Sequence, residues 1–381
     1  MSVLLNDEQR QLKDSAQEFL STQAPVAALR KLRDGKSADG FDRDLWAQVV
    51  EMGFTAAALP EAHGGLGFGY KGMGAIFEQA GRNLSVMPLL SSAVLGAGLL
   101  VEAGSSAQQE AYLPAILGGE SLFALALDEQ ARHNPLSIAT KAEKSGDTFV
   151  LSGEKIFVLD GHVATHLIVA ARTSGQNSPN PREAMQGISL FLLEAQAAGV
   201  NITRKHMLDS RNAATVVFTQ APAQLLGQLD AGFMPLNKVL DQARILLAAE
   251  LLGICREAFE RTITYLKERM QFGVPIGSFQ ALQHRAARLF VEMEMASATV
   301  ATALNALDEN DKQAALLASL AKQQCSDLAE KLLNEAVQMH GGIGVTDEFD
   351  IGLFLKRGRV LQQTLGDGIF HRDRYAMMRG F

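Results

Sequence analysis

Two long helical patterns joined by a short break dominate the second half of the sequence. Before the break, mostly apolar residues recur at steps of three or four, which places them on one face of a helix: Leu247, Leu251, Ile254, Ala258, Thr262 and Tyr265. Gly273 and Pro275 end this helix, because glycine is conformationally loose and proline lacks the N–H that a helix interior needs. A new helix is expected near Gln280, with a buried side formed by Leu282, Ala286, Phe290, Met293 and Ala296.

The break presents three side chains, Arg269, Gln271 and Phe272, at the end of a helix. An arginine can form charge-assisted hydrogen bonds to a phosphate, and a phenylalanine can stack on a planar ring. From these residues alone, an ordinary connection between helices with a solvated Arg269 is the simpler interpretation.

The composition describes a large folded protein. With 381 residues, 47% hydrophobic and 20% charged, the chain is too apolar for wholesale disorder and long enough for two or three packed units. A net charge of −7 argues against nucleic-acid or anionic-membrane partners. Cys255 and Cys325 lie in apolar helical patterns, which favours buried free thiols and provides no metal-ligand spacing. The longest apolar window is too short to span a membrane, so we expect a soluble, cytoplasmic protein without a metal.

The order of the patterns divides the chain into three parts. Residues 1–120 are predicted to be helical, and Asn6 with Gln9 resembles a capping box. Residues 121–228 carry short β-type segments, which predict a β-barrel or sandwich: Thr148–Leu151, Lys155–Leu159, Leu167–Ala171, Ile188–Leu193 and Thr215–Phe218. Residues 229–381 return to the helical period, including a third long helix between Ala314 and Met339, and predict a four-helix bundle. The fold class is therefore α+β and multidomain.

Several motifs together resemble the acyl-CoA dehydrogenase flavoprotein family. RMQFGVPIGSFQALQH, which begins at Arg269, is similar to a family signature, and QMHGGIG from Gln338 to Gly344 resembles the family's Q-x-x-G-G-x-G turn. DLWAQVVEMGFTAAALPEAHGGLG and EAYLPAILGGE extend the resemblance over nearly the whole chain. It implies helical, β and helical-bundle domains, an FAD cofactor, an acyl-CoA substrate, and a tetramer built as a dimer of dimers.

The resemblance assigns cofactor contacts to residues of this sequence. The residues expected against the FAD of a neighbouring subunit are Arg269, Gln271, Phe272, Phe279, Gln280, Gln338, Gly341 and Gly342. Phe157 is expected to face the chain's own flavin, but the loop that usually lines it, T-E-P-x-A-G-S-D, is replaced by LDEQARHN from Leu127 to Asn134. The family's hydroxyl beside the flavin is replaced by Leu159, which can donate only through its backbone.

The family's reaction removes the α-proton of an acyl-CoA thioester and passes the β-hydride to the flavin. The usual base is a glutamate before a Gly-Thr pair, but here Leu365 precedes Gly366 and Asp367. The alternative position for the glutamate, before an arginine of the first bundle helix, holds Ala243 before Arg244. Two other carboxylates, Asp367 and Asp241, are therefore the candidate bases. Arg244, Leu365 and Gly366 are the candidate substrate-binding residues, because the Leu365 N–H can polarise the thioester oxygen whatever its side chain is.

These departures indicate one subunit of a mixed oligomer, since the contacts given to a neighbour look intact and those to the chain's own flavin do not. The ending GDGIFHRDRYAMMRGF resembles small subunits of heteromeric dehydrogenases that act on dicarboxylic or steroid side-chain CoA thioesters. An electron-transfer flavoprotein or a similar acceptor is the implied redox partner. Two alternatives stay open: a homo-oligomer in which an aspartate is the base, and a non-catalytic member that binds or scaffolds a flavoprotein partner.

Overall fold

The computed structural model describes residues 3–381. In chain order, its helices are α1 Asp7–Gln23, α2 Val26–Asp34, α3 Arg43–Glu51, α4 Gly69–Asn83, α5 Ala97–Ala103, α6 Ser106–Leu117, α7 Pro181–Ala184, α8 Phe233–Glu268, α9 Gln280–Asp308, α10 Ala314–His340, α11 Ile351–Gln363 and α12 Gly368–Arg379. The strands are β1 Phe123–Ala126, β2 Lys141–Ser145, β3 Thr148–Leu159, β4 His166–Arg172, β5 Ile188–Glu194, β6 Val200–His206, β7 Asn212–Leu226, β8 Met270–Gln271 and β9 Val274–Pro275. A π-helical segment, Leu89–Gly96, leads into α5.

The helical signals of the sequence are confirmed at several boundaries. The Asn6 side chain accepts the Gln9 N–H at 2.7 Å, and the Gln9 side chain accepts the Asn6 N–H at 3.1 Å, so α1 begins with the predicted capping box. The break between α8 and α9 also lies where glycine and proline indicated it. The buried side predicted for α9 is wrong at Phe290, which is 49% exposed. It follows the buried Leu289 directly, and consecutive helical residues point about 100° apart.

One compact unit consists of the residues up to Asp34, Phe68–Val86 and Arg244–Phe381. It is helical apart from the β8–β9 hairpin. Within it, α4 approaches α8 so closely that a Cβ on Gly253 would lie 2.0 Å from the Glu78 carbonyl oxygen. Only glycine permits this backbone contact. Cys255 and Cys325 are both free and buried in this unit, as the sequence predicted.

The second compact unit, Gly35–Gly67 and Met87–Ala243, contains the middle β domain. Its strands are ordered β1–β4–β2–β3–β7–β5, with β6 paired to β7, and the pairing of β4 with β5 closes a barrel. Sequence patterns did not indicate β1, β2 or β6, and they divided β3 into two segments. Lys141–Ser145 and Val200–His206 are mostly exposed and polar, so they carry no apolar run, whereas Phe123–Ala126 is only four residues long.

Among residues 3–381, no helix is both long enough and apolar enough to cross a membrane. In the same part of the chain, no cluster of three or more histidine, cysteine, aspartate or glutamate side chains could bind a metal ion.

A buried guanidinium fixes two loops at one end of the barrel. Arg172, the last residue of β4, is 8% exposed and donates hydrogen bonds to four backbone carbonyls and one side-chain amide. The acceptors are the carbonyl oxygens of Leu136, Ile138, Ala184 and Gln186 and Oδ1 of Asn177. Arginine suits this position because its planar group carries five donors. The residues from 127 to 140, which include the loop expected near the flavin, are therefore held from their far end.

Replacing Arg172 by Met should destabilise the protein by about 3 kcal/mol or more, because buried carbonyl oxygens would lose their donors. Urea unfolding provides the measurement. The matched control is Arg182→Met in the same region, since Arg182 is exposed and its change should stay within about 0.5 kcal/mol. A loss below about 1 kcal/mol in Arg172→Met would contradict the assignment of Arg172 as the residue that holds both loops.

Candidate functional site

The hairpin between α8 and α9 presents a strained aromatic side chain. Gln271 pairs with Val274, which leaves Phe272 and Gly273 as the two turn residues, with φ of 53° and 80°. Positive φ at both positions is typical of a type I′ turn, which glycine adopts easily and phenylalanine does not. Phe272 is also 91% exposed, and its ring meets the edge of Phe279 with 6.1 Å between the ring centroids. Strain and apolar exposure at one residue indicate a functional role.

The polar residues of the same hairpin are exposed and available. Arg269 follows α8 directly, and within residues 3–381 its guanidinium forms no ion pair or hydrogen bond. Gln271 and Gln280 are also exposed. Of the five residues predicted from this segment, Phe272 and Phe279 are in contact, and Arg269, Gln271 and Gln280 are exposed close to them in sequence.

The turn after α10 offers open backbone to a ligand. Gln338 is exposed in the last turn of α10, and Gly341 has φ of 64°. A Cβ built on Gly341 or Gly342 would meet no heavy atom within 4 Å, so a ligand has room to approach the backbone there. A cavity of about 290 Å³ lies beside the turn and is lined in part by Gly344, Phe349 and Lys356.

His340 supports this turn from the inside. Its ring lies 4.5 Å from the ring of Tyr265 and 4.7 Å from that of Phe349, and its Nδ1 contacts the Ala336 carbonyl oxygen at 2.7 Å. Burial lowers the pKa of His340, although the hydrogen bond to Ala336 opposes that shift. A neutral imidazole packed between two rings has a structural role in shaping the turn.

In the barrel, Phe157 lies at an irregularity of β3. The register with β7 shifts between Lys155 and Val158, and Phe157 itself has φ of 51° and is 55% exposed. A bulge of this kind redirects a side chain out of the regular sheet, and bulges are common beside active sites. The residue predicted to face the flavin is thus an exposed aromatic held in a strained conformation.

Three polar side chains of the loop from Leu127 to Asn134, those of Asp128, Glu129 and His133, are engaged in contacts within the middle domain. Glu129 accepts the N–H groups of Ala139 and Thr140 at 2.7 and 2.9 Å, and its carboxylate pairs with the buried Lys155 at 2.7 Å. Burial lowers the pKa of Lys155, and the charge of Glu129 partly offsets that shift. Asp128 contacts Nδ1 of His133 at 2.9 Å. These side chains shape the loop and are already engaged, in contrast to the exposed groups of the hairpin.

The turn between α11 and α12 holds the three predicted substrate-binding residues together. Leu365 is buried with φ of 56°, and its carbonyl oxygen accepts a hydrogen bond from Nε of the buried Arg244 at 3.2 Å. Nζ of Lys322 donates to the carbonyl oxygens of Gln362 and Gly366 at 3.1 and 3.0 Å. Within residues 3–381, the N–H of Leu365 has no hydrogen-bond partner. The side chains of Arg244 and Lys322 therefore bind three carbonyl oxygens of the turn, while the neighbouring Leu365 N–H has no partner within residues 3–381.

The candidate bases are placed less favourably. Asp367 is the N-cap of α12, where its Oδ1 accepts the Phe370 N–H at 2.8 Å. The Asp367 carboxylate is therefore already engaged in capping this helix. Asp241 is 4% exposed on α8, and the nearby Ala243 is buried.

Sequence patterns do not single out Lys322, which lies within an apolar helical pattern. The available signal is its position, four residues after Ala318 and three before Cys325, on the apolar side of α10. A lysine at such a position is buried and must find acceptors.

Comparison with protein families covers nearly the whole chain. The model for the N-terminal domain of acyl-CoA dehydrogenases matches residues 6–120, the middle-domain model matches 124–221, and the C-terminal-domain model matches 230–377. This chain belongs to the acyl-CoA dehydrogenase family.

Full-length relatives agree with this placement. Mitochondrial isovaleryl-CoA dehydrogenase of Pongo abelii is 30% identical over 386 residues, covering 99% of this chain and 89% of the relative. A steroid ACAD variant, Tcur3481-Tcur3483, is 30% identical with a TM-score of 0.87 and covers 98% of each chain. A structure described as electron transferring flavoprotein of Acidaminococcus fermentans is 27% identical with a TM-score of 0.89 and covers 100% of each chain.

Acyl-CoA dehydrogenases are FAD flavoproteins, and the surface of this chain fits such a group. Arg269 offers a cation to a phosphate, Phe272 offers an exposed ring to a planar base, and Gly341 offers unobstructed backbone. Family membership supports an oxidoreductase that acts on acyl-CoA.

Lys322 should make the stability of the protein depend on pH. Burial, reinforced by the charge of Arg244, lowers its pKa from 10.5 to about 7. Between these two pH values the unfolded chain binds more protons at this site, so the free energy of unfolding should rise with pH, by at most about 1.4 kcal/mol per pH unit. Lys322→Met removes this contribution. Urea unfolding between pH 6.5 and 9 should therefore show a smaller rise in the variant than in the wild type.

The control for this pH series is Lys312→Met, because Lys312 is exposed and should leave the wild-type slope unchanged. Equal slopes in wild type and Lys322→Met would mean that Lys322 titrates at its ordinary pKa.

Proposed function

We propose that this chain is one subunit of a mixed oligomer that carries out FAD-dependent α,β-dehydrogenation of an acyl-CoA thioester. The observation that supports this is a contrast between two surfaces. Arg269, Phe272 and the Gly341–Gly342 turn are exposed and open toward a ligand, whereas Asp128 and Glu129 of the chain's own loop are already paired with His133 and Lys155. The chain is suited to complete an FAD site on a neighbour and poorly suited to bind its own flavin.

We propose that the neighbour's FAD contacts two segments of this chain. The connection between α8 and α9 contributes Arg269, Gln271, Phe272, Phe279 and Gln280, and the turn after α10 contributes Gln338, Gly341 and Gly342. The guanidinium would bind a phosphate oxygen, and the aromatic ring would lie against a planar part of the cofactor. Phe157 would face the flavin of this chain where that site is filled. FAD supplies the acceptor for the β-hydride.

The thioester is proposed to bind at the turn between α11 and α12. The N–H of Leu365 donates to the thioester oxygen and stabilises the negative charge that develops there as the α-proton leaves. This donor belongs to the backbone, so it is present with a leucine as with a glutamate. Gly366 follows it, and Arg244 holds the Leu365 carbonyl on the opposite side.

The base is the part of the chemistry that this chain supplies least well. Leu365 and Ala243 are apolar, and the Asp367 carboxylate already caps α12. We therefore place efficient proton abstraction in a second family subunit that carries the glutamate. The name of the similar Tcur3481-Tcur3483 protein joins two components, which is consistent with such an arrangement. The electrons would pass to an electron-transfer flavoprotein or a similar acceptor.

A second candidate function, a non-catalytic subunit that only scaffolds a flavoprotein partner, is favoured by the same apolar residues at both positions of the base. It differs in predicting that replacing Arg269 leaves the FAD affinity of the complex unchanged, because a subunit that only scaffolds makes no contact with the partner's FAD.

Flavin content tests the mixed oligomer directly. The chain purified alone should carry little flavin, because it is poorly suited to bind its own flavin, while the complex purified with its natural partner should be yellow, because this chain completes the FAD site of the partner. Arg269→Ala in that complex should lower FAD affinity at least tenfold, since a charge-assisted hydrogen bond contributes about 1.5–3 kcal/mol. Titration at limiting FAD, followed by flavin absorbance, provides the measurement.

The control for this titration is Arg182→Ala, an exposed arginine of the middle domain, which should retain wild-type flavin affinity. Stoichiometric FAD in the lone chain would contradict the mixed oligomer, and unchanged affinity in Arg269→Ala would remove that residue from the site.

Asparagine substitutions separate the two roles of Asp367. Asparagine is as good an N-cap as aspartate but is not a base, so Asp367→Asn keeps α12 capped while removing the carboxylate. If proton abstraction occurs in the partner, turnover of CoA thioesters with an artificial electron acceptor should stay within a few-fold of wild type. Asp241→Asn is the parallel test on α8. A drop of about 10²–10⁴ in either variant, with FAD retained, would identify that aspartate as the base.

A further inference from the structure

We propose that Lys322 is a positioning residue for the thioester: with Arg244, it holds the carbonyl oxygens of the turn from 362 to 366 on the buried side and thereby aims the N–H of Leu365 at the thioester oxygen. This inference rests on the proposed function of that N–H. It assigns a specific task to a buried lysine that neither binds substrate nor forms a salt bridge within residues 3–381.

The turn needs such a residue because it is buried and lies between two helix ends. The last carbonyls of α11 have no partner within the helix, and the Val360 oxygen is already taken by the Thr364 N–H at 3.1 Å. Lys322 supplies the donor for the Gln362 oxygen and reaches past the turn to the Gly366 oxygen. A cation at this position also interacts favourably with the negative end of the α11 dipole.

The two cations fix the peptide groups on both sides of the Leu365 amide. Lys322 binds the carbonyl three residues before Leu365 and the one directly after it, and Arg244 binds the carbonyl of Leu365 itself. The backbone of Leu365 is held at φ of 56°, which a leucine rarely adopts. With these carbonyls directed inward, the Leu365 N–H has a defined direction and no partner within residues 3–381.

The position of Lys322 explains why its action is indirect. Its side chain is fully buried, and its hydrogen bonds go to backbone oxygens of the turn. Removing Lys322 should leave the Leu365 N–H in the turn but make its orientation less well defined. A hydrogen bond to a carbonyl depends steeply on direction, so the loss should affect a ligand with a thioester oxygen and spare one without it.

The test compares two ligands on the full chain purified without its partner, so that the partner subunit's own thioester site does not contribute: butyryl-CoA, labelled with ¹³C at the thioester carbonyl, and S-butyl-CoA, a thioether that lacks this oxygen. The wild type should prefer the thioester and lower its carbonyl stretching frequency in the infrared. Lys322→Met should reduce the preference about fivefold, shift the frequency back toward its value in water, and leave S-butyl-CoA affinity within about twofold. Lys322→Arg, which keeps the charge and donors, should restore part of the frequency shift.

The matched control is Ser326→Ala, one turn further along α10, which removes a buried hydroxyl that has no hydrogen-bond partner within residues 3–381. It should keep the wild-type preference and frequency. If Lys322→Met does not fold, Lys322→Gln retains two donors on a shorter chain and should give an intermediate shift. A folded Lys322 variant with wild-type preference and frequency overturns the positioning role. A wild type that shows neither preference nor shift overturns the proposed Leu365 donor itself, and with it this inference.

Discussion

Buried carbonyl oxygens require donors, and the turn between α11 and α12 receives donors for three of its carbonyls from side chains of other helices. Lys322 comes from α10 and Arg244 from α8, so the geometry of the turn is set by two helices outside it. The apolar side chain of Leu365 makes none of these hydrogen bonds. Under the proposed function, a leucine at this position would still present its backbone N–H to the thioester oxygen, because that donor does not depend on the side chain.

In the middle domain, too, buried basic side chains donate hydrogen bonds to backbone carbonyl oxygens of loops. Arg172 donates hydrogen bonds to carbonyl oxygens of two loops. Lys155 pairs with Glu129 of the loop from 127 to 134 and donates to the Leu127 carbonyl oxygen. Leaving one partner of such a buried pair alone is strongly destabilising, which makes the loop resistant to change. The side chains of Asp128, Glu129 and His133 are therefore committed to the fold. The exposed hairpin from 269 to 276 differs from this loop, because the side chain of Arg269 has formed no hydrogen bond within residues 3–381.

Sequence reasoning located the helices and helix ends that have a local signal of periodicity or capping. It found the capping box of α1, the break between α8 and α9, and α10, because each has a local pattern. It missed β2 and β6, whose polar residues lie on the barrel's outside, and it misplaced Phe290, since a pattern of steps does not say where a buried stripe ends. The resemblance supplied the candidate site. It gave no indication of Lys322 or Arg172, because which polar atom meets which buried carbonyl is decided by tertiary packing.

Two exposed aromatic residues indicate that a ligand or a second subunit covers part of this chain. Phe272 and Phe157 both have positive φ and are mostly exposed, at a hairpin tip and at a bulge. Strained backbone costs about 1–3 kcal/mol at each site, and an exposed ring gains nothing from burial to offset it. Support from within the chain is slight at Phe272, where the ring of Phe279 meets it edge to face. Such conformations persist when a ligand or a second subunit covers the ring. An FAD site shared between subunits would supply that cover at Phe272, so the strain observed in one chain is most simply understood as preparation for a site that another chain completes.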